Sequence, residues 1–255
     1  MKLESADDII VNPPNQQPTH LPNRAPPTSI QLIKQVTVGG TPIAVCHYKG
    51  YTYVGCQNGA VDRIDEGGQV TPSFIKLTAR VTGIIAHEDI LYTLMYGNTG
   101  PYAVYVYDLA GQQLYTWSHD DRADYSARAL AIINNELIIA DRTNKRFTIY
   151  ALTGEHVRDV PCDLICTDYL TICHVADNSI LVANINATPK LYRVNLTTGD
   201  VEWRLNTGSG DVGVIMCSKD FALVTRLNSS KEIKIWTLNI NTGKKPPHHD
   251  VHPHI

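Results

Sequence analysis

Five glycines, Gly68, Gly111, Gly154, Gly199 and Gly243, stand 43, 43, 45 and 44 residues apart, and each closes a short run of alternating apolar and polar residues. A fixed period of this length, with every unit built from short strands, restricts a chain to an array in which each unit buries a face against its neighbour. Four strands can be read in a unit. The first strands, at 43–46, 83–86, 130–133, 170–173 and 214–217, are near-continuous apolar runs, which suits strands covered on both faces. Second strands follow a tight turn at 51–54, 90–95, 137–140, 180–183 and 221–224. Third strands at 61–64, 104–107, 147–150, 191–194 and 233–238 alternate with period two, as strands with one wetter face do. Fourth strands follow the glycine clearly at 114–118, 156–160 and 201–205, and more poorly after Gly68. The expected fold is all-β: a β-propeller of four-stranded blades around a central channel.

The fifth repeat lacks a fourth strand, because Lys244, Lys245, Pro246 and Pro247 follow Gly243. A spare strand stands at the other end. Residues 29–36 alternate in strand fashion and come just before the first strand of repeat one, where a preceding fourth strand would sit. Pairing them with the third strand of the last repeat, near Trp236, gives five complete blades and removes an open strand edge. The organisation expected is a proline-rich extended arm over 1–28, which has six of the fourteen prolines, a propeller over 29–245, and a His/Pro-rich tail over 246–255.

At 255 residues one all-β domain is expected, and 43% hydrophobic residues suffice for its core. A formal net charge of −3 removes the basic footprint of a nucleic-acid face, and no apolar run reaches membrane-spanning length. The first residues lack the basic start and apolar stretch of a secretory signal, so a cytoplasmic location is expected. Six cysteines, Cys46, Cys56, Cys162, Cys166, Cys173 and Cys217, are too sparse for a disulfide scaffold and are read as reduced thiols.

Residues 136–160, an apolar strand followed by Ala-Asp-Arg, an Asn-containing turn, an Arg and an alternating strand into Gly, resemble an NHL repeat. Residues 190–208, with Thr-Gly before a Trp-bearing outer strand, are similar to the blade motif of quinoprotein-like propellers. The NHL resemblance implies a propeller usually of six blades, often placed behind tripartite-motif ubiquitin-ligase modules and binding proteins or RNA. This chain has neither RING and B-box cysteine clusters nor a sixth repeat, so the alternative to five blades is a truncated six-bladed parent. The quinoprotein-like motif builds blades and supplies none of the converging polar residues a quinone needs; no cofactor is expected.

Aligning the apolar runs places Cys46, Ala86, Ile133, Cys173 and Cys217 at one small, buried position, followed by His47, His87, Asn134, His174 and Ser218. Three histidines at symmetric positions suggest a metal, but turns spread around a rim hold them apart, and no metal is expected. Asn58, Asn98, Asn144, Asn186 and Asn228 recur just after the second strand, which turn chemistry explains. The stretches joining each fourth strand to the next first strand are richer in chemistry. They contain His119, Asp120, Asp121, Arg122, Asp124, Tyr125 and Arg128, then Asp163, Asp168 and Tyr169, then Asp211, whereas the matching stretch of repeat one has only Arg80.

Carboxylates gathered at one mouth of the channel would focus negative potential. The expected function is a non-catalytic interaction module binding a protein or basic peptide through Asp120, Asp121, Asp124, Tyr125, Arg128, Asp168, Tyr169 and Asp211. Two alternatives follow from the same residues and termini. One is a propeller hydrolase or lyase acting on a sugar or lactone, with two or more of Asp120, Asp121, Asp124, Asp168 and Asp211 as acid, base or ligand. The other is a structural subunit docked through its N-terminal arm. The tail histidines His248, His249, His252 and His254 suit weak metal chelation at most.

Overall fold

The structure is a computed structural model that describes residues 36–96, 102–118, 127–165, 170–176, 178–184, 191–205, 211–217, 221–227 and 233–239, with backbone alone at 128, 176, 205 and 211–239. Among the described residues nineteen strands form five antiparallel sheets, each laid out in chain order. Blade 1 contains β1 (Pro42–Tyr48), β2 (Tyr51–Cys56), β3 (Ala60–Ile64) and β4 (Val70–Lys76). Blade 2 contains β5 (Arg80–His87), β6 (Ile90–Tyr96), β7 (Ala103–Asp108) and β8 (Gln113–Ser118). Blade 3 contains β9 (Ala127–Ile133), β10 (Glu136–Asp141), β11 (Arg146–Ala151) and β12 (His156–Pro161). Blade 4 contains β13 (Leu170–Ala176), β14 (Ser179–Asn184), β15 (Leu191–Asn195) and β16 (Val201–Leu205). The last sheet has β17 (Asp211–Cys217), β18 (Phe221–Leu227) and β19 (Ile233–Asn239).

The fold is therefore an all-β propeller with four complete four-stranded blades among the described residues, not the five expected, followed by a three-stranded sheet. The inner strands of successive sheets pack side by side, β1 on β5, β5 on β9, β9 on β13 and β13 on β17. Residues 29–35 of the expected closing strand, the 1–28 arm and the 246–255 tail lie outside the described residues.

Apolar seams join the blades. Tyr53, Val61 and Ile75 of blade 1 meet Val81, Ile84 and Leu91 of blade 2. Leu94 and Val104 meet Leu130, Leu137 and Ile139 across the next seam, and Ile138, Phe147 and Ile149 meet Ile172, Ile180 and Val182 across the third. Burying such side chains contributes roughly 1.5–3 kcal/mol each and is the main term holding blade to blade.

The periodic glycines serve these seams. Gly111 and Gly154 sit in the outer hairpin turns of blades 2 and 3 at φ of 87° and 97°, a region costly for any residue with a Cβ. They are also pressed by the preceding blade: a Cβ on Gly111 would lie 2.9 Å from Phe74, and one on Gly154 2.5 Å from Trp117. Trp117 in turn packs on Tyr150, ring centroids 4.5 Å apart, and Tyr150 shares a short hydroxyl–hydroxyl hydrogen bond with Tyr102.

The inner hairpins are two-residue turns with both central residues at positive φ, Lys49–Gly50, Glu88–Asp89 and Asn134–Asn135, the geometry that matches strand twist. These turns correct the alignment made from apolar runs. Tyr48 pairs with Tyr51, His87 with Ile90 and Ile133 with Glu136, so Tyr48, His87 and Ile133 share the last position before the turn. Counting back along each ladder, Cys46, Ile85, Ala131 and Cys173 are equivalent. His47 and His174 match each other, while His87 is one step further on and faces the other side of its sheet.

Candidate functional site

Strand order delivers the ends of every blade-to-blade stretch to one face of the molecule, the end where inner strands begin and second strands finish. The asparagine turns share it. Asn58 accepts the Ala60 N–H through its side-chain oxygen at 3.1 Å and donates from its amide to the Gly39 carbonyl, also at 3.1 Å, while Lys76 Nζ donates to its backbone oxygen. Asn144 donates from its backbone N–H and side-chain amide to Asp141. Turn chemistry is thus the role of both; Asn98, Asn186 and Asn228 lie outside the described residues.

Among the described residues two buried carboxylates organise this face, and neither has a site role from the sequence: Asp62 stands before Arg63 in an alternating strand, and Asp141 is the acid of the Ala-Asp-Arg stretch. Asp62 is fully buried and accepts the N–H groups of Gly39 at 2.5 Å and Ser73 at 2.7 Å. Asp141, also fully buried, faces Arg146 Nε at 3.2 Å, and the same guanidinium reaches Asp159 at 2.6 Å. Carboxylates so tied position backbone and are not available to a ligand.

Of the sequence-derived site, Asp120, Asp121, Asp124, Tyr125, Asp168 and Tyr169 lie outside the described residues. Arg128 is the second residue of β9, next to Ala127, which pairs with Asp141. Asp211 opens β17 and pairs with Leu227. Both backbones stand at the asparagine-turn end of their sheets. Asp163 is exposed on the stretch after β12, close to Leu164, whose carbonyl accepts a hydrogen bond from the Asn184 amide at 3.0 Å.

The opposite face is a chain of hydrogen bonds between neighbouring turns. Tyr48 Oη accepts the Asp89 N–H, and Lys49 pairs with the Asp89 carboxylate at 2.5 Å. His87 Nε2 lies 3.0 Å from Asn135 Oδ1, and Asn134 donates to Asn178. His47 instead meets Thr52 of its own blade at 3.0 Å. His47 and His87 thus contact different partners, one within its blade and one across to the next; among the described residues no group of three His, Cys, Asp or Glu is placed to hold a metal ion.

The cysteines depart from the expectation of six reduced thiols. Cys46, Cys56 and Cys162 are free, and burial pushes all three thiols above their ordinary pKa, which makes them poor nucleophiles. Cys46 is only half-buried, and Cys173 is disulfide-bonded. The side chain of Cys217 lies outside the description.

No protein-family model matches the chain, and no curated protein matches it. Solved structures do. The computationally designed Ika8 protein superposes with a TM-score of 0.53 at 16% identity, over 80% of this chain and 60% of that one. A protein of unknown function from Bacteroides caccae gives 0.60 at 13% identity, over 81% and 80%. The WD40 β-propeller domain of Doa1 gives 0.53 at 14% identity, over 80% and 66%. The chain thus spans less than two thirds of the Ika8 and Doa1 structures. At these identities the likeness is one of fold: a β-propeller, with a WD40 propeller among its neighbours. The NHL and quinoprotein-like resemblances find no support beyond that fold. Among the described residues no helix is long and apolar enough to cross a membrane.

Proposed function

We propose that this chain is a non-catalytic interaction module, a five-bladed propeller that binds a protein or basic peptide on the face where the blade-to-blade stretches run. The observation that supports this reading is topological. The described residues that flank the stretches 119–126 and 166–169 (Ser118 and Ala127, Ile165 and Leu170) stand on that face, where the backbones of Arg128 and Asp211 lie at the starts of β9 and β17. The buried acids there are already tied to backbone and arginine, which leaves the loop carboxylates as the groups for a cationic partner. The WD40 neighbour adds a fold used for protein interaction. A fluorescent Lys/Arg-rich peptide should bind, and its affinity should fall as salt shortens the screening length. Asp121→Asn and Asp168→Asn should weaken that binding while leaving thermal stability unchanged or raised. Binding without salt dependence, or unmoved by these substitutions, would remove the acidic face from the account.

The fifth blade is proposed to be completed by residues 29–36. Two features of blade 1 support it. Ile84, Leu130 and Ile172 occupy one ladder position in blades 2, 3 and 4, point at the preceding blade, and are 7%, 8% and 7% exposed; Val45 has the same position in blade 1 and is 59% exposed. A blade is owed there. In addition, residues 36–40 meet blade 1 through Gly39 and Asn58 much as the stretch after β12 meets blade 4 through Leu164 and Asn184. A segment docked this way follows a fourth strand in blade 3, and the residues just before it here are 29–35.

A further inference from the structure

The chain has six cysteines; three are free, and Cys173 is bonded, so its partner is Cys166 or Cys217. We infer that it is Cys217, and that a disulfide between the inner strands β13 and β17 staples the last sheet to blade 4.

Ladder parity carries the argument. Cys173 shares its position with Cys46, Ile85 and Ala131, and each of these packs into the seam with the following blade. Cys173 by the same register faces the sheet of β17. Cys217 pairs with Ala222, which places it one step before its hairpin turn, the step held by Ala86 and Ile132 in blades 2 and 3. Those two residues pack into the seam with the preceding blade. The register therefore sets positions 173 and 217 on facing sides of two strands that pack side by side. Cys166 is the poorer partner by chain geometry: in sequence it precedes Leu170, the first residue of β13, and Cys173 lies about 10 Å along that strand from Leu170 at about 3.3 Å per residue. A disulfide needs Cα atoms within about 7 Å, so residue 166 would have to double back along the strand.

Closure proceeds by thiol–disulfide exchange with a small disulfide such as glutathione disulfide. One protein thiolate attacks it and releases a glutathione thiol, then the second protein thiolate displaces the other glutathione from the mixed disulfide. Two protein thiols are oxidised to one disulfide as one glutathione disulfide is reduced to two thiols.

Trypsin cleaves after Arg158, Lys190, Arg204 and Lys219, so Cys162, Cys166 and Cys173 fall on the fragment 159–190 and Cys217 on 205–219. The full chain, equilibrated with glutathione disulfide, alkylated without reduction and digested, should yield these two fragments linked as one species that dithiothreitol splits. Cys166→Ser should retain the linked species and Cys217→Ser lose it, and reduction should lower the Tm of the Cys166→Ser protein by about 10 °C, the scale for a disulfide closing a loop of this size in a domain this large. A disulfide confined to 159–190, or fully alkylated Cys217 after oxidation, would overturn the assignment.

Discussion

The two sides of blade 1 are packed differently. Toward blade 2 it presents Tyr53, Val61 and Ile75, all buried, and lays Phe74 over Gly111. On its other side Ile43 and Val45 stand exposed, and what covers Val54, Cys56 and Ala60 there includes Val38, from the segment approaching β1. Gly68, the counterpart of Gly111 and Gly154, has φ of 76° but meets no aromatic side chain among the described residues. One sheet with one repeat pattern thus has a finished seam and an unfinished one. The finished seam shows what the repeat encodes: a residue at a given ladder step is apolar because a neighbouring blade covers it, and Val45 is apolar although none does so in the described structure.

Substitutions at equivalent steps sharpen this comparison, and the largest effect belongs to the seams themselves. Leu130→Asp would place an unpaired carboxylate between blades 2 and 3 and should cost about 4 kcal/mol or more in chemical denaturation. Val45→Asp should cost more than about 2 kcal/mol if the ring closes over it, and near zero if residue 45 faces water. The glycines give a smaller contrast. Gly154→Ala combines an unfavourable φ with a clash on Trp117 and should cost about 2–3 kcal/mol, whereas Gly68→Ala bears the backbone term and should cost about 1 kcal/mol. Equal losses at the two glycines would mean that Gly68 is also packed against.

The smallest effect concerns the turn face. The Lys49 hydrogen bond holds the Asp89 carboxyl below its ordinary carboxylate range, and the Asp89 bond holds the Lys49 ammonium above its own. The lowered acid contributes above its ordinary pKa and loses this as pH falls through its folded value; the raised base contributes below its ordinary pKa and loses this as pH rises through its folded value. The pair is therefore whole between those two ranges and fades at either end. Both groups are exposed and screened, so Asp89→Asn should shift Tm little at neutral pH and not at all in high salt.

Much of the propeller was legible because its repeat is enforced twice, by φ and by packing, at Gly111 and Gly154. The strand after Gly68 read poorly for a physical reason. Pro72 has no N–H, the ladder between β3 and β4 slips between Val61 and Arg63, and Ser73, at φ of 49°, donates to Asp62 instead of to a strand. A side chain there replaces a backbone partner, and alternation is lost. His87 was placed one step out because apolar runs mark the middle of a strand, while the two-residue turns that set register are made of Lys49–Gly50, Glu88–Asp89 and Asn134–Asn135, which share little chemistry beyond their positive φ. Asp62 and Asp141 were missed since nothing local distinguishes a carboxylate bonded inward to backbone or arginine from one facing water.

Amide hydrogen exchange on the full chain tests closure most directly. If residues 29–36 form the fourth strand of the last blade, their amides exchange as slowly as those of β16, in contrast to the fast exchange expected over 1–28. Exchange across 29–36 at the unprotected rate would contradict the closure and leave blade 1 with an open side.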